Sequence, residues 1–462
     1  MDDENPIATI PDDPEARLVR AAELVAGHPW VARAEPAPGG RLRVTPDPAA
    51  ISATPTPGPL LREHLEHWAE VYDWVYGTGE GRHADDLDLS GWRDSVTGAP
   101  LPREHMREWI DRTVELVLES NPRTVLEAGC GTGLLAHRLH GSLEGYVGTD
   151  VADIAVDRLS AAGLPRTGFV RAAAHEVDSP TVRRVTDAVL GPGVRPDCVV
   201  LNSVTQCFPN LDYLAAVVRG ALAVVADGGT VVLGDIRHSA LVERHFTELE
   251  RTRDPQAPLE GIAERVRVAI AEDEELSFAP EAVREIVAAS GRAVRISTRA
   301  RTMAAATELT RYRYDLVLHI GDRAGPPVEY IPWSGPELLS EKARTAHAGA
   351  PVVVHGIPNG LVDETPDTPT PYALRAALAG IDAAVLVDGG DPRLLAVAVP
   401  ASAAPAAQRV AAPAPGPAAG EPFPAFLRRR LAELLRDHLR RVAPGLPLPP
   451  LDLAGRPSRE AV

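Results

Sequence analysis

Short apolar segments separated by helical ones recur between residues 125 and 320, and this alternation restricts the possible folds of the chain more than any other feature. VLEA (125–128), YVGTD (146–150), DCVVLN (197–202) and TVVLGDI (230–236) read as short buried strands. Helical segments begin near Leu134, Ala152 and Leu211. Strands alternating with helices in this way imply an α/β fold with a doubly wound, Rossmann-like parallel sheet. Residues 239–290 read as mainly helical, after which AVRISTRAR (293–301) and RYRYDLVLHI (311–320) supply two last strands, in keeping with a seven-stranded sheet.

The flanks are organised differently. Residues 1–58 hold one apolar helix, RLVRAAELVAGHP, then RLRVTPDP and a linker, ISATPTPGP. The main domain is expected over 59–360, starting with LLREHLEHWAEVYDWVYG, whose apolar and aromatic residues fall at helical spacing. From 321 to about 371 the chain reads as irregular. Residues 361–462 are expected to form a C-terminal accessory αβ unit, with RAALAGIDAAVLVDGGDPRLLAVAVP before an Ala/Pro linker at 401–420 and an amphipathic helix, FLRRRLAELLRDHLRRV, after it. Together with 1–58 it would make a small α+β accessory domain.

Composition removes several chemistries. A formal charge of −17 with no compensating basic block argues against nucleic acid. Cys130, Cys198 and Cys207 form no CxxC pair and no even set, so neither a disulfide scaffold nor a metal site is expected. The acidic start MDDENP and the lack of an apolar run near the roughly 20 residues of a membrane span point to a soluble, cytoplasmic protein with no membrane partner. Lys342 is the only lysine among 47 basic residues, so a phosphate-loop lysine and a Schiff-base lysine are both excluded.

The strongest chemical signal is VLEAGCGTG at 125–133, where a strand runs into a helix expected at LLAHRL. Glycines let the backbone approach a ligand closely, and the helix N-terminus favours an anionic group. Glu127, just before the turn, is placed to reach a cofactor through water or a backbone amide. A glycine turn alone also suits other folds. YVGTD adds the second element, putting the Asp150 carboxylate about 20 residues on, where ribose hydroxyls are chelated. A nucleoside-type ligand follows. NAD is the main rival, but the spacing Gly129-x-Gly131-x-Gly133 differs from GxGxxG. At the end of DCVVLN, Asn202, Ser203 and Gln206 are placed to line the site, with capping of the helix at Leu211 as the plain alternative.

The glycine spacing resembles the first motif of class I methyltransferases. A longer series sharpens the resemblance to the N-methyltransferase domains of nonribosomal peptide synthetases: WAEVYDWVYG, GWRDSVTGAPLP with EHMREWI, VLEAGCGTGLL, YVGTDVA, LNSVTQCFPNLDYL, GDIRH, DEEL, ELTRYRYDLVLH and GIPNG. It covers roughly residues 68–359. The resemblance implies a seven-stranded class I sheet and S-adenosyl-L-methionine as cofactor. By it, Glu127, Gly129, Gly131, Gly133, Asp150 and Asn202 bind the cofactor, with Cys130, Val151 and Ser203 beside them. Gln206, Asp235, Arg237, Glu308 and Tyr312 approach the substrate. Plain alternatives are a helix cap for Asp235, an ion pair between Arg237 and Glu308, and a core position for Tyr312.

The flanks resemble the two parts of an adenylation C-terminal subdomain, although the tail reads Ala454-Gly455-Arg456-Pro457 where adenylation enzymes carry glycine and lysine. Three positions depart from the family: Val96 and Cys207 stand for tyrosines, and Ala306-Thr307 for a His-Asn pair. The resemblance therefore implies a roomier acceptor pocket. The expected activity is methylation of an amino group or other nucleophile on a carrier-protein-bound intermediate, with a synthetase as possible partner. A free small-molecule acceptor methylated on oxygen or carbon, with His175 or His238 assisting, and a silent docking module are the alternatives.

Overall fold

A computed structural model describes residues 10–78, 86–321, 327–338, 351–363, 367–407 and 419–453. The expectations for Lys342 and for the tail at 454–457 lie outside the described residues. Two compact units are present, residues 1–67 with 422–462, and residues 68–421. The expected boundaries at 58 and 360 thus differ from the divisions in the structure.

In the smaller unit the helix Pro14–Ala26 starts at Asp13, whose side chain accepts the Ala16 N–H, with proline in the first turn. The strands Val31–Ala37 and Arg41–Pro46 form an antiparallel hairpin, and Leu451–Leu453 adds in parallel to the second. The helix Phe423–Val442 repeats leucine every four residues and buries Leu427, Leu431, Leu435 and Leu439 as one stripe. Each such side chain stabilises the unit by roughly 1.5–3 kcal/mol.

The larger unit is built on one sheet of β1 (Thr124–Ala128), β2 (Gly145–Asp150), β3 (Thr167–Arg171), β4 (Cys198–Asn202), β5 (Thr230–Arg237), β6 (Val294–Ala300), β7 (Arg313–Ile320), β8 (Glu329–Pro332), β9 (Val352–Pro358), β10 (Ala384–Val387) and β11 (Leu394–Val399). Their spatial order is β8-β9-β11-β10-β6-β7-β5-β4-β1-β2-β3. The first five are mutually parallel, and β7 inserts antiparallel between β5 and β6. Order reverses between β1 and β4, which places a crevice at the C-terminal ends of these two strands. Every residue of β1, β2, β4 and β5 is buried, because helices cover both faces; this is why they read as continuous apolar runs. The helix Arg103–Leu118 contributes Met106, Trp109, Ile110, Thr113 and Val117 to the covering layer.

Four features differ from the sequence reading. The strand β3 is an edge strand with four half-buried residues and one exposed, so its sequence carries little apolar signal. The stretch read as irregular contains β8 and β9. The expected separate αβ unit instead extends the main sheet, as β10 meets β6 at Leu386 and Arg299. Part of the expected linker is core: Ala401, Ala403, Ala404 and Ala407 pack under Val353, Leu386 and Ala396, small side chains filling a narrow space beneath the added strands.

Candidate cofactor and acceptor site

The turn after β1 depends on its glycines. Gly129, Gly131 and Gly133 have φ of +83°, +49° and +84°, a region that costs side-chain-bearing residues energy. A Cβ on Gly129 would lie 2.2 Å from Val204 Cγ2, and one on Gly133 would lie 2.3 Å from Leu159 Cδ2. Gly129 and Cys130 both donate to the Thr149 carbonyl, at 2.7 and 2.9 Å, which ties the turn to β2. Beyond the turn only one helical turn forms, Ala136–Leu139, running into a 3-10 turn at His140–Ser142. The helix dipole expected from LLAHRL is therefore minor, and the backbone turn itself supplies the cradle.

Asp150 ends β2 within this cradle. Its Oδ2 accepts the Gly131 N–H at 2.8 Å and its Oδ1 the Ala152 N–H at 2.9 Å, which leaves lone pairs on both oxygens for ligand hydroxyls. Burial raises its carboxyl above the ordinary range, although the bonds from Ala152, Gly131 and Val151 oppose this. Tyr76, near the end of the helix Pro59–Thr78, packs with Ala152 and Ala155, and its hydroxyl would meet a Cβ on Gly131 at 3.0 Å. Trp68, Tyr72 and Tyr76 follow one another at four-residue spacing, the first pair stacked and the second tilted, with ring centroids 5.9 and 5.5 Å apart. Glu127 is fully sheathed and accepts the Tyr146 hydroxyl; burial, with Asp150 nearby, pushes its carboxyl up to about 8. Its carboxyl is consequently bonded across to β2 and favoured in the neutral form.

The ends of β4 and β5 carry the strain. Ser203 and Asp235 have φ of +54° and +61°, costly for non-glycine residues and typical of sites held for function. They bond each other, Ser203 Oγ donating to Asp235 Oδ2. Asp235 also accepts Trp109 Nε1 at 3.3 Å and Arg313 Nη1 at 3.0 Å, and Arg301 lies 3.9 Å away. Burial opposes its ionisation, but Arg313, Arg301 and the two hydrogen bonds outweigh that and hold it below the ordinary carboxylate range. Asp235 therefore anchors a network and does not cap a helix.

Arg313 is the hub that the sequence reading missed. It pairs with Asp235 and lies 3.8 Å from Glu275; burial opposes its charge, but Asp235, Glu275 and Glu308 outweigh that. Arg237 bonds Asp273 and Glu275, both at 3.0 Å, and not Glu308. Glu308 begins the short helix Glu308–Arg311; burial raises its carboxyl, partly offset by a bond from Ser95 and by Arg313. Tyr312 turns the other way, donating to Glu248 and packing with Leu241 and Val362, so it is a core position. His175 is engaged with Tyr213 at 2.9 Å and His238 with the Gly390 carbonyl at 3.0 Å.

Two buried amide oxygens complete the site. Asn202 Oδ1 and Gln206 Oε1 have no hydrogen-bond partner among the described residues, an arrangement that a ligand donor would relieve. Asn210, not Ser203 or Asn202, caps the helix Leu211–Val224, by accepting the Tyr213 N–H at 2.9 Å. Cys207, where the resembled family has tyrosine, sits 3.3 Å from the Tyr72 hydroxyl, its thiol pushed up by burial to about 12. The glycine cradle, the free lone pairs of Asp150 and the two orphan oxygens fit a nucleoside with a polar tail.

Residues 102–263 match a family model described as a methyltransferase domain. The matched residues lie in the larger unit, whose strand order and glycine turn agree with a methyltransferase domain. The chain is 37% identical over 261 residues to a probable non-canonical nonribosomal peptide synthetase, CymA, of Salinispora arenicola, covering 56% of this chain and 3% of that protein. It is 30% identical over 284 residues to chondramide synthase of Chondromyces crocatus, covering 60% and 7%, and 31% identical over 278 residues to enniatin synthase of Fusarium equiseti, covering 58% and 9%. The chain spans less than a tenth of the length of each of these three relatives. Among solved structures it is similar to magnesium protoporphyrin IX methyltransferase of Synechocystis (15% identity, TM-score 0.34, covering 55% of this chain and 98% of that one). It is also similar to the N-methyltransferase NodS of Bradyrhizobium japonicum (12% identity, TM-score 0.35, covering 55% and 98%). No helix among the described residues is long and apolar enough to cross a membrane.

Proposed function

We propose that the chain transfers a methyl group to an amino nitrogen of a nonribosomal-peptide-type intermediate presented by a carrier protein. The observation that carries the amine is the charge around Arg313: Asp235 pairs with its guanidinium, Glu275 lies 3.8 Å away and Glu308 adds its field, with Asp273 behind on Arg237. With Arg301 and its partner Asp315 included, five carboxylates stand against three arginines, an excess of negative charge that favours a cationic ammonium over a phenol. Glu308, raised by burial, is suited to take the ammonium proton, while Asn202 Oδ1 and Gln206 Oε1 are acceptors for N–H groups.

S-adenosylmethionine supplies the methyl group on a sulfonium centre. Residues 129–133, Asp150 and Asn202 would hold it, and the aromatic row Trp68, Tyr72 and Tyr76 would keep water from the reacting atoms. Ser203, Asp235 and Arg313 fix the acceptor side, so that alignment supplies most of the acceleration.

Carrier presentation is supported by the smaller unit, which resembles an adenylation C-terminal subdomain and exposes Arg428, Arg429, Arg436, Arg440 and Arg441 along one helix of a chain whose net charge is −17. Such a helix suits an acidic carrier surface. Tethering also raises the effective concentration of a scarce acceptor. The test is mass spectrometry of labelled methyl transfer to one acceptor, free and carrier-loaded. Faster labelling of the loaded form, on nitrogen, is expected. Equal or faster labelling of the free compound overturns the tethering, and label on oxygen or carbon overturns the amine.

A further inference from the structure

The ladder between β5 and β7 breaks at one point, and the break falls on Asp235. Tyr314 stands opposite Ile236 and Leu316 opposite Leu233, so Gly234 and Asp235 together face the single residue Asp315. The extra residue in β5 is a bulge, which takes a backbone group off the ladder and leaves it in need of another acceptor. The Asp235 N–H finds a side chain, donating to Asp315 Oδ1 at 2.7 Å. The other bulge residue, Gly234, accepts the Ser203 N–H on its carbonyl at 3.1 Å, so both strained residues of the acceptor side hang from this bulge.

Asp315 is itself held from two directions. It stands opposite Arg299 of β6 on the far side of its strand, and the same Oδ1 accepts Arg301 Nη1 at 2.7 Å. Arg301 lies over the Trp109 ring, 5.6 Å from its centroid, and Trp109 Nε1 donates to Asp235. The side chains of Asp235, Arg301 and Asp315 are 0, 2 and 8% exposed, which leaves little access for water to replace a lost bond. A φ of +61° is costly for aspartate and persists where a fixed, charged acceptor holds its N–H.

We propose that Asp315 is a positioning residue for the acceptor site, its carboxylate capturing the Asp235 N–H at the bulge and so holding the Asp235 carboxylate against Arg313 and Ser203. The assignment rests on the reading of that site as the place where the methyl acceptor binds. The competing role for Asp315 is charge alone, as the counter-ion of Arg301. The two roles ask different things of position 315: a counter-ion needs the negative charge, whereas positioning needs an oxygen at this place.

The test compares Asp315→Asn, which keeps the oxygen and removes the charge, with Asp315→Leu, which removes both. Labelled methyl transfer to whichever acceptor the parent methylates gives kcat, calorimetry gives the affinity for S-adenosylhomocysteine, and crystal structures of both variants give the conformation of Asp235. The asparagine variant is expected to retain most of the parent kcat and the positive φ. The leucine variant should lose kcat on the order of a hundredfold, the scale of a displacement of about 1 Å, with Asp235 relaxed to negative φ and the cofactor-product affinity unchanged. If circular dichroism shows the leucine variant unfolded, Asp315→Glu takes its place, since it keeps the charge but carries the oxygen a methylene away; the same loss and the same relaxation are expected. Equal losses in the asparagine and leucine variants, or a positive φ at Asp235 in the leucine or glutamate variant, overturn the proposal. Label on oxygen or carbon in the parent overturns the amine and leaves this comparison standing, and with no turnover in the parent the conformation of Asp235 in the variants decides.

Discussion

Asp150 and Gly131, nineteen residues apart, are joined by a 2.8 Å bond from the Gly131 N–H to Asp150 Oδ2, so the carboxylate that would receive a ribose also holds the glycine turn in shape. Asp150→Ala removes both the ligand contact and this brace. Affinity for S-adenosylhomocysteine should fall on the order of a hundredfold by calorimetry, the equivalent of one to two charge-assisted bonds. Retained affinity would exclude Asp150 from the site.

Gly129→Ala should be worse than its size suggests. The added methyl meets Val204 Cγ2 at 2.2 Å while the backbone stays at φ +83°, two independent penalties. A loss of about 2–4 kcal/mol is expected in chemical denaturation. Adding Val204→Ala should recover the steric part and leave the backbone part. No recovery would mean that the clash is not with Val204.

For Glu308→Gln, kcat should drop about 100-fold near neutral pH, the usual scale for a lost proton acceptor. The parent rate should rise with pH through a Glu308 carboxyl displaced upward by burial. With glutamine, only amine that is already neutral reacts, so the deficit should narrow as pH passes the amine's own value near 7.7–8.0. A deficit that stays constant with pH would leave Glu308 a merely structural group.

Glu127 makes a separate pH prediction. Its carboxyl is raised to about 8 in the folded protein from an ordinary 4.5, so folding favours its protonated form. The stability it contributes is full below about pH 4.5 and is lost progressively as pH rises to about 8. Glu127→Gln keeps a neutral group beside Tyr146 and has no such dependence. Measured against that variant, the parent should lose stability steadily across this window; parallel curves would show that Glu127 is ionised in the fold.

The parallel half of the sheet was legible because β1, β2, β4 and β5 are buried on both faces and therefore spelled in apolar residues. The glycine turn and Asp150 were legible for a similar reason, since close approach leaves few residue types that fit. Arg313 was not: it sits at the head of an apolar strand, and only the folding of β5 beside β7 reveals that it meets Asp235. The partner of Arg237 was misjudged because Asp273 and Glu275 lie some 36 and 38 residues away, on a loop that no periodicity marks. Alanines 401–407 misled by composition, as a tight space needs small side chains as much as a linker does.

The way β9 enters the main sheet restricts how the protein can be cut. That strand reaches β6 only by way of β11 and β10, which follow it in the chain. A truncation at residue 360 would keep β8 and β9 and discard the two strands that dock them, leaving a detached apolar ribbon and, on β6, a raw edge open to other chains. Catalytic fragments of this protein should therefore be excised no earlier than the end of the alanine turn at 407, because the stretch that looks dispensable is what seals the sheet.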